Sequence, residues 1–214
     1  MRAPQALQSP GGADTLPPWC EPLRQLTQVV PPEPDAGAAD PVDRGLRAAV
    51  VVLAVEQAPP VFLMTARSPA LHEHGGEVAF PGGRIDARDA DPAAAALREL
   101  REEVGVRSGR VQPLGYLPGI WTRGSRYWVT PLLAWLPGTF DFTNRNPSPE
   151  VEYAFGLPLS IALDLGRYDR MLVPGTDLRV ARLVWAGPLI WGATARILMS
   201  CAERFDPTAR ETLR

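Results

Sequence analysis

The sequence contains no lysine, only two cysteines and two histidines, and no long apolar run. Two cysteines, Cys20 and Cys201, are too few for a disulfide framework, so we expect the chain to fold in a reducing compartment. No stretch approaches the ~18 apolar residues that a membrane span needs, and the N-terminus lacks the apolar core of a signal peptide. We therefore expect a cytoplasmic protein that does not bind membranes.

Charge is nearly balanced, with 22 basic and 24 acidic residues and a net charge of −2. No basic run is present that could follow a nucleic-acid backbone, which argues against nucleic acid as a partner. All basic residues are arginines. Arginine suits bidentate binding of phosphate, but a codon bias that also enriches Ala, Gly and Pro explains the missing lysine more simply.

The 214-residue length fits one domain with an extension, and an apolar content of 45% is enough for a core. Residues 1–42 are rich in Pro, Ala and Gly, which predicts a flexible or loosely packed extension with at most a short helix at 23–30. We assign residues 43–207 to a single domain and residues 208–214 to a C-terminal tail.

Strands and helices are mixed within this domain. A β-branched apolar run at 46–56 predicts a buried strand, and residues 61–65 should pair beside it. Further predicted elements are strands at 111–117, 127–136, 151–155 and 178–184, and helices at 158–165 and 189–205. Strands in the middle with helices before and after them predict an α/β fold with a mixed sheet between helices.

One helix has unusually clear boundaries. Asp91 is a good N-cap, Pro92 suits the first helical position, and residues 93–96 are alanines, the strongest helix formers. Gly105 then supplies a left-handed cap. We predict a helix between these boundaries, with Ala96, Leu100 and Val104 packing on one side.

The same helix carries three carboxylates, Glu99, Glu102 and Glu103, on another side. Like charges at these spacings repel by about 0.2–0.5 kcal/mol per pair unless a cation lies between them. Oxygen ligands with no Cys or His nearby favour Mg²⁺ or Mn²⁺ over zinc. A solvated helix face on which Arg98 pairs with Glu102 explains the same residues and is, from the carboxylates alone, the commoner case.

The sequence before this helix favours a metal site over a solvated helix face. Residues 78–83 are an apolar stretch ending in Gly82 and Gly83, and such a loop can expose backbone N–H groups to phosphate. Together with the R-E-L-x-E-E-x-G-V pattern at 98–106, it resembles the signature of the Nudix hydrolases, G-x5-E-x7-R-E-U-x-E-E-x-G-U, where U is a bulky aliphatic residue.

The first half of the signature departs from the pattern. Gly83 lies one residue further from Arg98 than expected, and Ala90 stands at the position of the first glutamate, between Asp89 and Asp91. A signature that is one residue longer and has aspartates at this place resembles that of the coenzyme A pyrophosphatase branch of the family.

Two other segments resemble that branch. One is F-L-M-T-A-R-S at 62–68, which leads through a short loop to F-P-G-G at 80–83. The other is I-W-G-A-T-A at 190–195. One position disagrees, because His72 stands where the branch usually carries arginine.

The resemblance implies a Nudix-type α/β/α sandwich with a mixed β-sheet. It also implies metal-dependent cleavage of the diphosphate of coenzyme A (CoA) or acyl-CoA to 3′,5′-ADP and 4′-phosphopantetheine or its acylated form. By this resemblance Glu99, Glu102 and Glu103 would bind the metal ions, and Arg98 would orient a glutamate. The expected substrate-binding residues are Arg67, Gly82 and Gly83.

Weaker candidates lie elsewhere in the domain. Glu150 and Glu152 lead into a strand, where a carboxylate could complete the site or simply be solvated. His72 and His74 are too few for a zinc site. Additional candidates for binding substrate phosphate or adenine are Arg84, Arg123, Arg126, Trp121, Tyr127 and Trp128.

Two alternatives to CoA hydrolysis stay open. The same chemistry could act on another nucleotide diphosphate, such as ADP-ribose or NADH, or on a nucleoside triphosphate. The chain could also be a non-catalytic Nudix-fold regulator that binds a nucleotide. Each implies a small-molecule partner, and a homodimer is one of the assembly states left open.

Overall fold

The computed structural model describes residues 15–34, 46–72, 74–122, 125–143, 148–173 and 175–205. Within these residues the chain forms eleven strands and four α-helices. In chain order they are α1 (Glu21–Arg24), β1 (Arg47–Val55), β2 (Val61–Arg67), β3 (Val78–Ala79), β4 (Gly82–Arg84), α2 (Pro92–Val104), β5 (Gln112–Tyr116), β6 (Ile120–Trp121), β7 (Trp128–Leu136), β8 (Val151–Pro158), α3 (Leu159–Ala162), β9 (Tyr168–Leu172), β10 (Arg179–Leu183), β11 (Ile190–Trp191) and α4 (Gly192–Arg204).

The main sheet has the strand order β3-β2-β1-β7-β5, with β8 paired to β2, β4 to β1 and β6 to β7. Strands β1 and β7 run parallel, from the pair Arg47–Trp128 to the pair Val55–Leu136. The other pairings are antiparallel, so the sheet is mixed, as predicted. A separate antiparallel sheet has the order β11-β10-β9.

Helices cover both faces of the main sheet. Alternate side chains of β1 enter different hydrophobic clusters, because successive residues of a strand point to opposite faces. Val51 lies in the cluster that contains Leu100 of α2. Val52 lies in the cluster that contains Leu159 of α3 and Leu198 of α4. The predicted α/β/α sandwich is therefore confirmed.

The prediction of a flexible or loosely packed extension is wrong for residues 15–34. Cys20 and Leu23 are fully buried, and the Trp128 indole N–H donates to the Pro32 carbonyl at 3.1 Å. Arg204 of α4 donates to the Leu26 carbonyl. Apolar residues at helical spacing bury themselves even within a Pro-rich segment. Residues 1–14, 35–45 and 206–214, with the rest of the predicted extension and the predicted tail, lie outside the described residues.

Two smaller predictions also need correction. The helix predicted at 189–205 begins only at Gly192, because residues Ile190–Trp191 form a strand that pairs with β10. The helix predicted at 23–30 is a single turn at Glu21–Arg24. Among the described residues, no helix is long and apolar enough to cross a bilayer.

Candidate active site

Helix α2 positions the three glutamates, and its ends are those predicted. The Asp91 carboxylate accepts a hydrogen bond from the Ala94 N–H at 2.8 Å, and Gly105 adopts φ 74°. Ala96 and Leu100 are fully buried against the sheet. Since one side of the helix is fixed by this packing, Glu99 and Glu102 on the other side remain available to the site.

Glu103 is the most enclosed of the glutamates, with 5% of its surface exposed. The Gly82 N–H donates to its Oε2 at 3.2 Å, and an Arg67 guanidinium nitrogen lies 3.8 Å from its Oε1. Burial raises the pKa of the Glu103 carboxyl to about 7, against the opposing effects of the Gly82 N–H and the Arg67 charge. A carboxylate in this position is stabilised by a cation close by.

Arg98 connects the other two glutamates. Its Nη1 donates to Glu99 Oε1 at 2.7 Å and to Glu102 Oε2 at 3.2 Å. The other edge of the Arg98 guanidinium donates to Asp89, with Nε–Oδ1 at 3.0 Å and Nη2–Oδ2 at 2.9 Å. The hydrogen bond from Arg98 lowers the pKa of the Asp89 carboxyl below its usual value.

Asp89 is the functional candidate that the sequence did not single out. It appeared only as a neighbour of Ala90, the residue at the departure from the glutamate pattern. Its side chain is 6% exposed and holds Arg98 at two points. The departure itself was the available signal, because Asp89 is the carboxylate next to Ala90 and its side chain reaches Arg98.

Gly82 and Gly83 do not form the exposed loop that we predicted. They belong to β4, where they pair with Val50 and Ala49 of β1. A Cβ on Gly83 would lie 2.6 Å from Glu99 Oε1, and one on Gly82 would lie 2.5 Å from the Ala49 carbonyl oxygen. The glycines therefore let β4 approach β1 and α2, and the Gly82 N–H is used by Glu103.

Arg67 lies at the end of β2, 24% exposed, between Glu103 and Glu150. Its Nη2 is 3.5 Å from Glu150 Oε2. Its Nε is buried without a hydrogen-bond partner among the described residues. Glu150 thus reaches the site through Arg67, whereas Glu152 is exposed on β8.

The three predicted metal ligands are not gathered around one point. Glu103 faces Gly82 and Arg67, while Glu99 and Glu102 are held by Arg98. Within the described part of the chain, no three Asp, Glu, His or Cys side chains converge closely enough to hold an ion. The donor set still fits a hard divalent cation, because all three are carboxylates on one helix and one of them is buried with a raised pKa.

The weaker candidates have different contacts in the structure. His74 contacts Glu77, with Nδ1 and Oε2 3.1 Å apart, which agrees with a structural role. Trp128 is fixed by its bond to Pro32. The Arg84 carbonyl accepts from Arg98 at 3.1 Å. Arg123 lies outside the described residues.

Comparison with known proteins identifies the relatives of this chain. The family model for the NUDIX domain matches residues 44–165. A protein named "Uncharacterized Nudix hydrolase NudL" from Klebsiella pneumoniae subsp. pneumoniae is 37% identical over 177 residues, covering 82% of this chain and 88% of that protein. The protein of the same name from Escherichia coli (strain K12) is 39% identical over 158 residues, covering 73% and 81%.

Among solved structures, DR0079 from Deinococcus radiodurans is 18% identical, with a TM-score of 0.49 and coverage of 76% of this chain and 88% of that one. The family model spans more than half of the chain, and the sequence relatives exceed 30% identity over most of their length. This chain therefore belongs to the Nudix family and is a hydrolase of its pyrophosphohydrolase class.

Proposed function

We propose that the protein is a divalent-metal-dependent pyrophosphohydrolase that cleaves the diphosphate of CoA or acyl-CoA. The products are 3′,5′-ADP and 4′-phosphopantetheine or its acylated form. One observation carries the proposal: Arg67 and Gly82, from the two halves of the motif at 62–83 that resembles the CoA branch, both contact Glu103 of the Nudix helix.

Nudix proteins generally use a divalent metal, and the residues here that would hold Mg²⁺ or Mn²⁺ are Glu99, Glu102 and Glu103. A bound ion would neutralise charge on the phosphoryl oxygens and make a water nucleophilic. The buried Glu103 carboxylate favours such a cation, because the Arg67 guanidinium at 3.8 Å is too distant for a hydrogen bond.

Arg98 orients the carboxylates. Its contacts with Glu99 and Glu102 limit the rotamers of both side chains, and its two-point pair with Asp89 fixes the guanidinium itself. Asp89 is therefore a positioning residue that acts on the glutamates through Arg98.

Arg67 supplies a positive group for the substrate. Its buried Nε N–H has no partner among the described residues, and its contact with the half-exposed Glu150 is long. An unpaired buried donor is costly unless a ligand accepts from it. A diphosphate oxygen beside Glu103 would accept this hydrogen bond and would account for the position of Arg67.

The test is chromatography of CoA after incubation with the protein and Mg²⁺ or Mn²⁺. We expect 3′,5′-ADP to appear with the unsubstituted protein and with Glu203→Gln, a control glutamate exposed on α4. We expect at least a hundredfold less with Glu103→Gln. Full activity in Glu103→Gln, with the fold retained, would refute the site.

A substrate panel tests the alternatives. Cleavage of ADP-ribose or NADH without cleavage of CoA would keep the Nudix chemistry and reject the CoA assignment. Tight metal-dependent binding of a nucleotide with no hydrolysis would instead identify a non-catalytic regulator.

A further inference from the structure

A cavity of about 550 Å³ lies between the small sheet, β6 and the start of α4. None of the seven residues assigned above to catalysis, metal or substrate lines it. Three arginines and two tryptophans contribute to its lining: Arg170, Arg179, Arg196, Trp121 and Trp191.

Two of these arginines share one face of the small sheet. Arg170 of β9 pairs with Ala181 of β10, and Arg179 lies two residues from Ala181. Arg170 and Arg179 are thus diagonal neighbours, a separation that long side chains can bridge. Within the described part of the chain, neither guanidinium has a carboxylate within 4.0 Å. An anion between them would relieve their mutual repulsion.

On the opposite face of the same strands, the charge of an arginine is compensated by a carboxylate. Arg182 of β10 lies directly across from Asp169 of β9 and donates to it at two points, with Nε–Oδ1 at 2.9 Å. Arg182 does not line the cavity, so the two arginines that these strands contribute to the lining are the uncompensated ones.

The tryptophans provide flat apolar surface beside this charge. Trp121 and Trp191 are both half-buried and both line the cavity. The third arginine, Arg196, is anchored here because its Nη1 donates to the Trp121 carbonyl at 3.1 Å. Positive charge next to indole rings suits a ligand that carries both a phosphate and an aromatic base.

A short segment connects the cavity to the candidate active site. Glu77 lines the cavity, β3 follows it, and Gly82, which contacts Glu103, comes five residues later. A strand rises about 3.3 Å per residue, so Gly82 lies within about 17 Å of Glu77. Thr194 of α4 donates to the Val78 carbonyl at 3.1 Å and fixes this segment against the cavity wall. One elongated nucleotide can reach both places.

We propose that this cavity binds the 3′-phosphoadenosine portion of the substrate, with Arg170 and Arg179 binding the 3′-phosphate and the tryptophans contacting the adenine. The identity of the ligand rests on the proposed function, because CoA carries a 3′-phosphate in addition to its diphosphate. The cavity thereby supplies a specificity site separate from the groups that act on the diphosphate.

Binding of 3′,5′-ADP and 5′-AMP to metal-free protein tests the cavity independently of turnover, since these ligands differ only in the 3′-phosphate. We expect 3′,5′-ADP to bind more tightly to the unsubstituted protein. Arg170→Gln and Arg179→Gln should each weaken 3′,5′-ADP about tenfold, the value of one charge-assisted hydrogen bond. Arg182→Gln, on the other face of the same sheet, should leave both affinities unchanged.

Either of two results overturns the inference: equal affinity for the two ligands in the unsubstituted protein, or unchanged 3′,5′-ADP binding in both arginine variants. Both side chains are exposed, so a folding defect is not expected and can be checked by thermal melting.

Kinetics separate this inference from the proposed function. In the arginine variants the ratio of kcat/KM for CoA to that for 3′-dephospho-CoA should fall toward one. If CoA is cleaved but this ratio is unchanged, the cavity assignment is wrong and the proposed function stands. If CoA is not cleaved but arginine-dependent binding of 3′,5′-ADP persists, the nucleotide site stands and the proposed function is wrong.

Discussion

Arg98 and Asp89 form a two-point ion pair, with Nε–Oδ1 at 3.0 Å and Nη2–Oδ2 at 2.9 Å, across nine residues of sequence. The pair joins the loop before α2 to the side of the helix that carries Glu99 and Glu102. Through it, a residue outside the expected pattern of glutamates contacts the arginine that holds Glu99 and Glu102.

Replacing Asp89 tests this relationship. Asp89→Asn removes the charge that holds a mostly buried Arg98, so we expect a loss of about 2 kcal/mol of unfolding free energy and a lower kcat with little change in KM. Urea unfolding and steady-state kinetics measure the two effects. Arg88→Gln, which breaks the exposed pair with Asp86, is the matched control and should change neither. An unaltered kcat in Asp89→Asn would show that Arg98 positions the glutamates without this partner.

Stability of the metal-free protein should depend on the ionisation of Glu103. Its pKa is about 7 when folded, above the value of 4.5 for a free glutamate, so ionisation opposes folding. Below pH 4.5 both states are protonated and the residue contributes nothing; the penalty grows between pH 4.5 and 7 and is complete above pH 7. Glu103→Gln should therefore stabilise the protein at pH 8, by up to about 3 kcal/mol, but not at pH 4.

Denaturant unfolding with a chelator present, at several pH values, checks this sign. The same dependence of unfolding free energy on pH in the unsubstituted protein and in Glu103→Gln would contradict it. Glu203→Gln controls for the loss of one negative charge at an exposed position.

Divalent metal should bind more tightly as the pH rises from 5 to 8, because ionising Glu103 makes a ligand available. The rise in Tm on adding Mn²⁺ or Mg²⁺ measures this affinity, since a ligand that binds only the folded state stabilises it. Glu103→Gln should lose most of the shift and its pH dependence. A Tm shift of equal size in that variant would place the ion elsewhere.

Gly82 and Gly83 should respond differently to substitution by alanine. A Cβ on Gly82 would collide with the backbone of β1, at 2.5 Å from the Ala49 carbonyl oxygen, so Gly82→Ala should destabilise the fold by about 1–3 kcal/mol. The three atoms nearest a Cβ on Gly83 all belong to the end of the Glu99 side chain, which can rotate away. Gly83→Ala should therefore reduce kcat more than Tm. Thermal melting with kinetics of both variants distinguishes these outcomes, and equal loss of Tm would contradict the difference.

The sequence was most informative where the interactions are local. The boundaries of α2 follow from Asp91, Pro92 and Gly105, which act within one helical turn, and each holds in the structure. The separation of Glu103 from Glu99 and Glu102 could not be predicted. It depends on the Gly82 N–H and the Arg67 guanidinium, which belong to other strands distant in sequence.

The small sheet was mostly missed for a related reason. Strand β9 alternates only weakly between polar and apolar residues and is largely exposed, so its pattern does not distinguish it from a loop. The two residues of β11 continue directly into α4 and were absorbed into the predicted helix. This sheet nevertheless supplies two arginines of the cavity.

The docking of residues 15–34 has a chemical consequence for the two thiols. Cys20 in this segment and Cys201 in α4 are both buried, and burial raises the pKa of each thiol to about 12. At neutral pH neither forms appreciable thiolate, the reactive species toward alkylating reagents. The rate at which Cys20 is alkylated therefore reports how often the N-terminal segment detaches, while alkylation of Cys201 reports opening of the domain core.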